Sequence, residues 1–314
     1  MTLSAIFLMG ATGTGKTDVA VQLAERFPVE LVSVDSALVY RGLDIGTAKP
    51  SAALRARVVH HLIDVCEPTE RYSVGTFLTD VTRVMADIRA RGRMPLLVGG
   101  TMLYFRALQS GLAQLPAADP IVRARLSAEA AIEGWPALHA TLAAIDPAAH
   151  ARIQPMDGQR IQRALEVFEL TGTPLSILQQ QDLRKATAGH YLKLVLAPPS
   201  RTAHHEALAQ RFAGMLQAGL VDEVAGLYAR GDLESSLPAM RAVGYRQLWS
   251  HVAEGQSLAQ SAQEAIQATC QLAKRQGTWL RAEPDAIVVP AGTGQTHDVL
   301  TNQIREWWPS EQII

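Results

Sequence analysis

Residues Gly10-Ala11-Thr12-Gly13-Thr14-Gly15-Lys16-Thr17 match the spacing G-x-x-x-x-G-K-[ST], directly after an apolar run and at the start of a helical pattern. Glycines at these points let successive backbone N–H groups converge on an anion at the positive end of a helix. Lys16 adds a mobile positive charge, and Thr17 supplies a hydroxyl that can ligate Mg²⁺. This loop reports phosphate and no more: kinase, ATPase and diphosphate-releasing transferase all need it. A second polar point follows the next apolar run, where Val34-Asp35-Ser36 leads into Ala37-Leu38-Val39-Tyr40. An aspartate at the carboxyl end of a strand faces the crevice where open α/β sheets bind ligands, as a metal ligand or as a base. Val98-Gly99-Gly100-Thr101 repeats the pattern with a glycine pair and a hydroxyl.

The elements that must position these residues are legible as short apolar runs: Leu3–Met9, Glu30–Val34, His61–Val65, Pro95–Val98, Tyr191–Ala197 and Ala286–Val289. Near-continuous apolarity marks strands buried on both faces, as in a parallel sheet. Helical patterns separate them; Ser73 heads one whose apolar positions Phe77, Val81, Val84, Met85 and Ile88 follow the 3.6-residue period up to Gly92. Alternating strands and helices predict an α/β fold, a P-loop NTPase-like parallel sheet flanked by helices. From Asp119 to Gly189 strand signals vanish, and segments such as Ile121–Glu133 and Asp157–Leu170 read as helices. The expected organisation is a catalytic core of residues 1–118 and 190–314 with an all-helical insertion at 119–189.

The 314 residues carry 29 Lys and Arg against 30 Asp and Glu, a net charge of −1, which excludes a globally basic nucleic-acid binder but not a local basic patch. With 48% hydrophobic and 19% charged residues the composition is that of an ordinary globular protein. No apolar run is long enough to cross a membrane, and the N-terminus lacks a signal pattern, so a cytoplasmic protein without membrane association is expected. Cys66 and Cys270 lack the spacing of a metal site or disulfide framework and read as reduced structural thiols. The histidine pairs His60-His61 and His204-His205 lack convincing ligand spacing for a transition metal.

Five separated segments, VDSALVYRGLDIGTAKP, LLVGGTMLYFRAL, RIQRALEVFELTG, RAVGYRQLW and QLAKRQGTWLR, together resemble the bacterial tRNA dimethylallyltransferases, also called tRNA isopentenyltransferases. The likeness runs in family order from about Ile6 to Arg281. It implies transfer of the dimethylallyl group of dimethylallyl diphosphate to N6 of the adenosine immediately 3′ of the anticodon, with Mg²⁺ as cofactor and a monomeric enzyme. It assigns Asp35 as the base, puts Lys16, Thr101 and Arg211 beside it in the catalytic set, and gives the diphosphate to the loop Gly10–Thr17. Thr101 is expected to bond Asp35 or a bridging phosphate oxygen, or to cap the helix that follows it. Any ATP held by the loop would be an inhibitor at most.

For the RNA, the resemblance implies contacts at Asp35, Ser36, Ala37, Leu38 and Thr101, at Arg123, Gln159, Arg160, Ile161, Gln162 and Arg163 in the insertion, and at Arg241, Gly244, Tyr245, Arg246, Lys274, Arg275, Gln276 and Arg281. Composition agrees locally: between Arg241 and Arg281 the basic residues Arg241, Arg246, Lys274, Arg275 and Arg281 face only Glu254 and Glu264. Tyr245, Trp249 and Trp279 interleave with them, as stacking surfaces or as core. Gln159 and Arg163 stand four apart and share a helix face, which the resemblance turns toward the anticodon stem-loop. Three rivals remain at this point: a P-loop small-molecule kinase, an isopentenyltransferase acting on free adenine nucleotides, and a non-enzymatic RNA-binding switch. The long insertion and the basic C-terminal helices favour a macromolecular acceptor over a free nucleotide.

Overall fold

The computed structural model describes residues 4–113, 115–182 and 189–308. The chain forms two compact units, one of Met1–Phe105 with Gly189–Ile314, the other of Arg106–Ala188. In chain order the elements are β1 (Ala5–Gly10), α1 (Lys16–Arg26), β2 (Val29–Val34), α2 (Ala52–Arg57), β3 (His60–His61), α3 (Val74–Ala90), β4 (Met94–Gly99) and α4 (Met102–Ser110). The second unit adds α5 (Pro120–Glu133), α6 (Trp135–Ile145), α7 (Pro147–Arg152), α8 (Gly158–Thr171) and α9 (Leu175–Asp182). The first unit resumes with β5 (Tyr191–Ala197), α10 (Arg201–Gln217), α11 (Leu220–Ala229), α12 (Tyr245–Glu254), α13 (Leu258–Arg281), β6 (Ile287–Pro290) and α14 (Thr296–Trp307).

Among the described residues the strands make one parallel sheet in the order β3-β2-β4-β1-β5-β6, the doubly wound arrangement that the alternating pattern predicts. Every residue of β1 and β2 is buried, which is why these strands read as continuous runs. The one charge among them, Glu30, is matched by Arg91 at 2.7 Å and His61 at 2.7 Å. One sheet face packs Ile6, Leu8, Leu31, Leu96, Leu194 and Leu196 against Val19 and Leu23 of α1 and Leu300 and Ile304 of α14. The helix headed by Ser73 forms as expected: its side chain accepts the Thr76 N–H, and Phe77, Val81, Val84, Met85 and Ile88 are all buried.

One expected strand is largely replaced. His61–Val65 reads as a strand, but pairing stops at His61 because Leu62 and Asp64 take left-handed backbone, at φ 60° and 55°. The chain turns there to bond the loop after β2, with Val65 and Cys66 N–H groups donating to the Val39 carbonyl at 2.9 and 3.0 Å. The turn places the Asp64 carboxylate on Lys49 at 2.5 Å and on Arg55 at 2.6 Å. The first strand lies at Ala5–Gly10 rather than Leu3–Met9, with Leu3 outside the described residues.

The helical unit has its own core of Leu126, Leu138, Leu142, Ile161, Leu165 and Val167. Asp119 caps α5 through the Ile121 and Val122 N–H groups, and Asp157 caps α8 through the Arg160 N–H. Glu166 of α8 is fully buried and accepts from Arg123, from Arg163 and from the Asp119 N–H.

Candidate active site

The ends of three adjacent strands build the site. Beyond Gly10 the chain leaves β1 in a tight loop in which the Thr14 hydroxyl and the Lys16 ammonium both donate to the Ala11 carbonyl, at 2.9 and 2.7 Å. Gly13 has φ 78°, and a side chain there would stand 2.6 Å from Leu208, so both the turn and the close approach of α10 require glycine. The loop opens α1 at Gly15 with no side-chain cap, which leaves first-turn N–H groups that could receive an anion. Thr12 departs from the expected cradle. Its N–H is donated to the Gln276 Oε1 at 2.9 Å and its carbonyl accepts from the His204 Nε2 at 2.8 Å, so the backbone donor and acceptor of Thr12 are both spent inside the protein.

The end of β2 carries Asp35, partly exposed in an Asx-type turn in which Oδ1 accepts the N–H groups of Ala37 at 2.8 Å and Leu38 at 3.3 Å. Among the described residues Oδ2 receives no hydrogen bond. The end of β4 carries Thr101, whose N–H donates to the Val34 carbonyl at 3.2 Å. Its Oγ1 accepts the Ser36 N–H at 3.1 Å, so Thr101 holds the backbone beside Asp35 rather than the carboxylate itself.

Electrostatics tie Lys16, Asp35 and Arg211 into one field. Desolvation brings the Lys16 ammonium down to about 8; Asp35 works against that and Arg211 adds to it. Desolvation likewise lowers the Arg211 guanidinium, again opposed by Asp35, although the residue as a whole stays open to solvent. The resemblance to a diphosphate-binding arginine therefore falls on a residue that the fold brings to the loop. His204, Leu208 and Arg211 stand four and three apart on α10, one helical face turned toward the loop. That spacing is the signal by which His204 could have been found in the sequence.

The loop that follows Asp35 is pinned at two further points. Glu223 of α11 accepts the N–H groups of Asp44, Ile45 and Gly46 at 3.1, 2.8 and 3.3 Å, and the Tyr245 hydroxyl donates to Glu223 while accepting from Gly46 at 3.1 Å. Lys49, only 2% exposed, sits between the Tyr40 carbonyl at 2.8 Å, Asp44 at 2.6 Å and Asp64 at 2.5 Å.

Several expected RNA contacts lie elsewhere than on an open surface. Tyr245 is fully buried and Trp249 nearly so, both in the core shared by α11, α12 and α13, which leaves Trp279 as the exposed aromatic of the three. Gly244 is buried, its N–H donated to Gln247 at 2.9 Å. Ile161 is fully buried in the helical unit, because its position on α8 belongs to the apolar stripe. The Gln162 amide donates to the Arg123 carbonyl and to Ser127, both at 2.9 Å, and Arg163 donates to Glu166 and to the Pro116 carbonyl, both at 2.7 Å. Gln159 and Arg160 are exposed, as are Arg241, Arg246, Lys274, Arg275 and Arg281 on the first unit.

For magnesium the donor set fits. Among the described residues no group of three His, Cys, Asp or Glu side chains gathers as a ready-made cage. An exposed threonine hydroxyl in the first turn after a phosphate loop is instead the hard oxygen donor that Mg²⁺ takes together with substrate phosphates and water. A separate cavity of about 440 Å³ adjoins the other side of the loop, lined by Gly15, Asp18, Pro199, His204, Thr293 and His297, and includes neither Asp35 nor Lys16. No helix of the described residues is long and apolar enough to cross a membrane.

The family model described as IPP transferase matches residues 38–283, and one described as isopentenyl transferase matches residues 1–58. The chain belongs to the IPP transferase family. Within that family it is 52% identical over 303 residues to the tRNA dimethylallyltransferase of Bordetella petrii, covering 96% of each chain. It is 56% identical over 285 residues to the same-named protein of Thiobacillus denitrificans, covering 91% of each. Its fold is similar to the crystal structure of the full-length tRNA isopentenylpyrophosphate transferase of Bacillus halodurans, with a TM-score of 0.69 and 32% identity, covering 98% of this chain and 99% of that one.

Proposed function

We propose that this IPP transferase family member moves the dimethylallyl group of dimethylallyl diphosphate to N6 of the adenosine immediately 3′ of the anticodon in tRNA and releases diphosphate. The observation that carries the reading is the meeting of strand ends: the Gly10–Thr17 loop follows β1, Asp35 follows β2 with its Oδ1 fixed by two backbone N–H groups, and Thr101 beyond β4, which pairs with both, accepts the Ser36 N–H beside Asp35. An adenine amine is a poor nucleophile because its lone pair is delocalised into the ring. It therefore needs a base within hydrogen-bond reach as the carbon–nitrogen bond forms. Asp35 takes that proton on Oδ2. The N6 lone pair makes the new bond to the allylic carbon, and the carbon–oxygen pair of the broken bond leaves on the diphosphate.

The leaving group gathers negative charge, which preorganised donors stabilise at no reorganisation cost. Lys16, Arg211 and the N–H groups from Gly13 to Thr17 are those donors. Thr17 is the residue that would hold magnesium, which would supply further neutralisation of that charge. Because the target base is stacked in the anticodon loop, it must be splayed out to reach Asp35. The exposed basic residues Arg241, Arg246, Lys274, Arg275 and Arg281, with Arg160 of the helical unit, are the phosphate contacts of this reading. The enzyme works as a monomer in the cytoplasm.

The test is transfer itself: purified protein is incubated with dimethylallyl diphosphate and either tRNA or AMP. Modified adenosine in the tRNA supports the proposal. Product on AMP alone would make it an isopentenyltransferase of free nucleotides, and ATP turnover without alkyl transfer would make it a kinase.

A further inference from the structure

Gln276 stands on α13 among exposed basic residues, two positions from Lys274 and one from Arg275, yet its side chain turns inward. Its Oε1 accepts the Thr12 N–H at 2.9 Å and its Nε2 donates to the Gly100 carbonyl at 2.8 Å. One partner is a donor and the other an acceptor, so a single orientation of the amide satisfies both. A side chain at Gly100 would stand 2.5 Å from the Gln276 Nε2 and 3.0 Å from the Gly10 carbonyl oxygen, so it would push the amide off this bridge.

The bridge lies where the sheet no longer fixes geometry. Strand pairing of β4 ends at Gly99, opposite Met9 of β1 and Val34 of β2, so Thr12 and Gly100 lie beyond the ladder. Across that gap a continuous path runs from Thr12 through Gln276 to Gly100, then from Thr101 to the backbone of Ser36 beside Asp35. His204 holds the Thr12 carbonyl, in the next peptide group of the loop.

We infer that Gln276 is a positioning residue that sets the separation between the diphosphate loop and Asp35, and is not an RNA contact. The inference rests on the proposed transfer, in which the base and the leaving group act on opposite sides of one carbon. A displacement of about 1 Å between such groups costs roughly a hundredfold in rate.

Two variants test it. Gln276→Met keeps the volume and removes both hydrogen bonds; Gln276→Glu keeps an acceptor for Thr12 but sets a carboxylate against the Gly100 carbonyl. A protonated glutamic acid has one donor and one acceptor and so mimics the amide. Gln276→Met is expected to lower kcat by about 10- to 100-fold and to weaken inorganic diphosphate binding, read by calorimetry, by about tenfold. Its tRNA affinity and salt dependence should stay within about twofold of the parent. For Gln276→Glu, kcat relative to the parent should rise as the pH is lowered from about 8 to about 6, whereas the ratio for Gln276→Met stays flat.

The inference is overturned if Gln276→Met keeps kcat within about twofold, if tRNA affinity falls while diphosphate binding is unchanged, or if the Gln276→Glu ratio does not depend on pH. Should Gln276→Met fail to fold, as read by circular dichroism, the Gln276→Glu profile decides alone. A parent protein that binds diphosphate but transfers nothing to tRNA contradicts the proposed function. In that case the diphosphate arm still reads the positioning role.

Discussion

Arg163 donates to Glu166 at 2.7 Å, and Glu166 has no exposed surface. Arg123 donates to the same carboxylate through two nitrogens, at 2.8 and 3.0 Å. A residue that the sequence offers to RNA is therefore half of an internal ion pair, and the helical unit depends on it. Burial raises the Glu166 carboxyl, but the hydrogen bonds from Arg123 and Arg163 outweigh that and hold it below its ordinary value of 4.5.

A depressed folded value means that the carboxylate stabilises the unit at pH above the unfolded value and loses that contribution as pH falls through the folded one. Unfolding midpoints of the full chain should therefore drop below about pH 4.5 in the parent, and the Glu166→Gln curve should be flatter across that range. Removing a buried partner while leaving two guanidinium groups should cost about 2–3 kcal/mol at neutral pH, less than for a fully buried pair because both arginines are partly exposed. Denaturant titration of the two proteins at pH 4 and pH 7 checks both statements.

The RNA face follows from the same geometry. Arg160 is largely exposed and among the described residues bridges only to Asp157, at 3.2 Å, so it is the freer guanidinium of α8. Arg160→Ala and Lys274→Ala should each flatten log K for tRNA against log salt by about 0.7–0.9 for every phosphate left unneutralised. Arg163→Ala should instead lower stability. Filter binding at several salt concentrations, paired with thermal unfolding, separates these outcomes; a flattened slope for Arg163→Ala at unchanged stability would reverse the assignment.

Lys16→Ala should weaken dimethylallyl diphosphate binding and lower kcat together, because in the proposed reaction the ammonium faces the diphosphate in both the ground and the transition state. Steady-state kinetics with tRNA saturating would show it. A requirement for ATP hydrolysis would remove the loop from this role.

Lys49 holds the loop that follows Asp35, with its ammonium shared by Asp44 and Asp64. Lys49→Met takes the shared ammonium from Asp44, which is largely exposed, and leaves Asp64 paired with Arg55. The expected loss is about 2 kcal/mol of stability, below the usual scale for breaking a fully buried pair because Asp44 is exposed and Asp64 keeps Arg55. Chemical denaturation measures it, and a change below about 1 kcal/mol would show that the cluster is better solvated than its burial implies.

Much of this architecture was legible because parallel strands declare themselves as unbroken apolar runs and because the phosphate loop has fixed spacing. The capped α3 with its five buried apolar positions was readable residue by residue. What failed did so for local reasons. The run His61–Val65 has strand composition, but two left-handed residues divert it to the loop after β2, and nothing in its apolarity reports that. Tyr245 and Ile161 stand among charged neighbours in sequence and are buried all the same, since helix periodicity sorts faces regardless of neighbours. His204 at least shares a helical spacing with Leu208 and Arg211, but Gln276 acts on the loop from about 260 residues away, and nothing in its local pattern marks that pairing.

The central claim stands on Asp35. The direct measurement is mass spectrometry of nucleosides digested from tRNA after incubation with dimethylallyl diphosphate, Mg²⁺ and either the parent or Asp35→Ala. The parent should yield adenosine carrying one dimethylallyl group on N6, at the position 3′ of the anticodon, with one diphosphate released per group transferred. Asp35→Ala should form it about 10²–10⁴ times more slowly while its tRNA affinity changes little. Unmodified tRNA with the parent, or near-parent turnover by Asp35→Ala, would contradict the account.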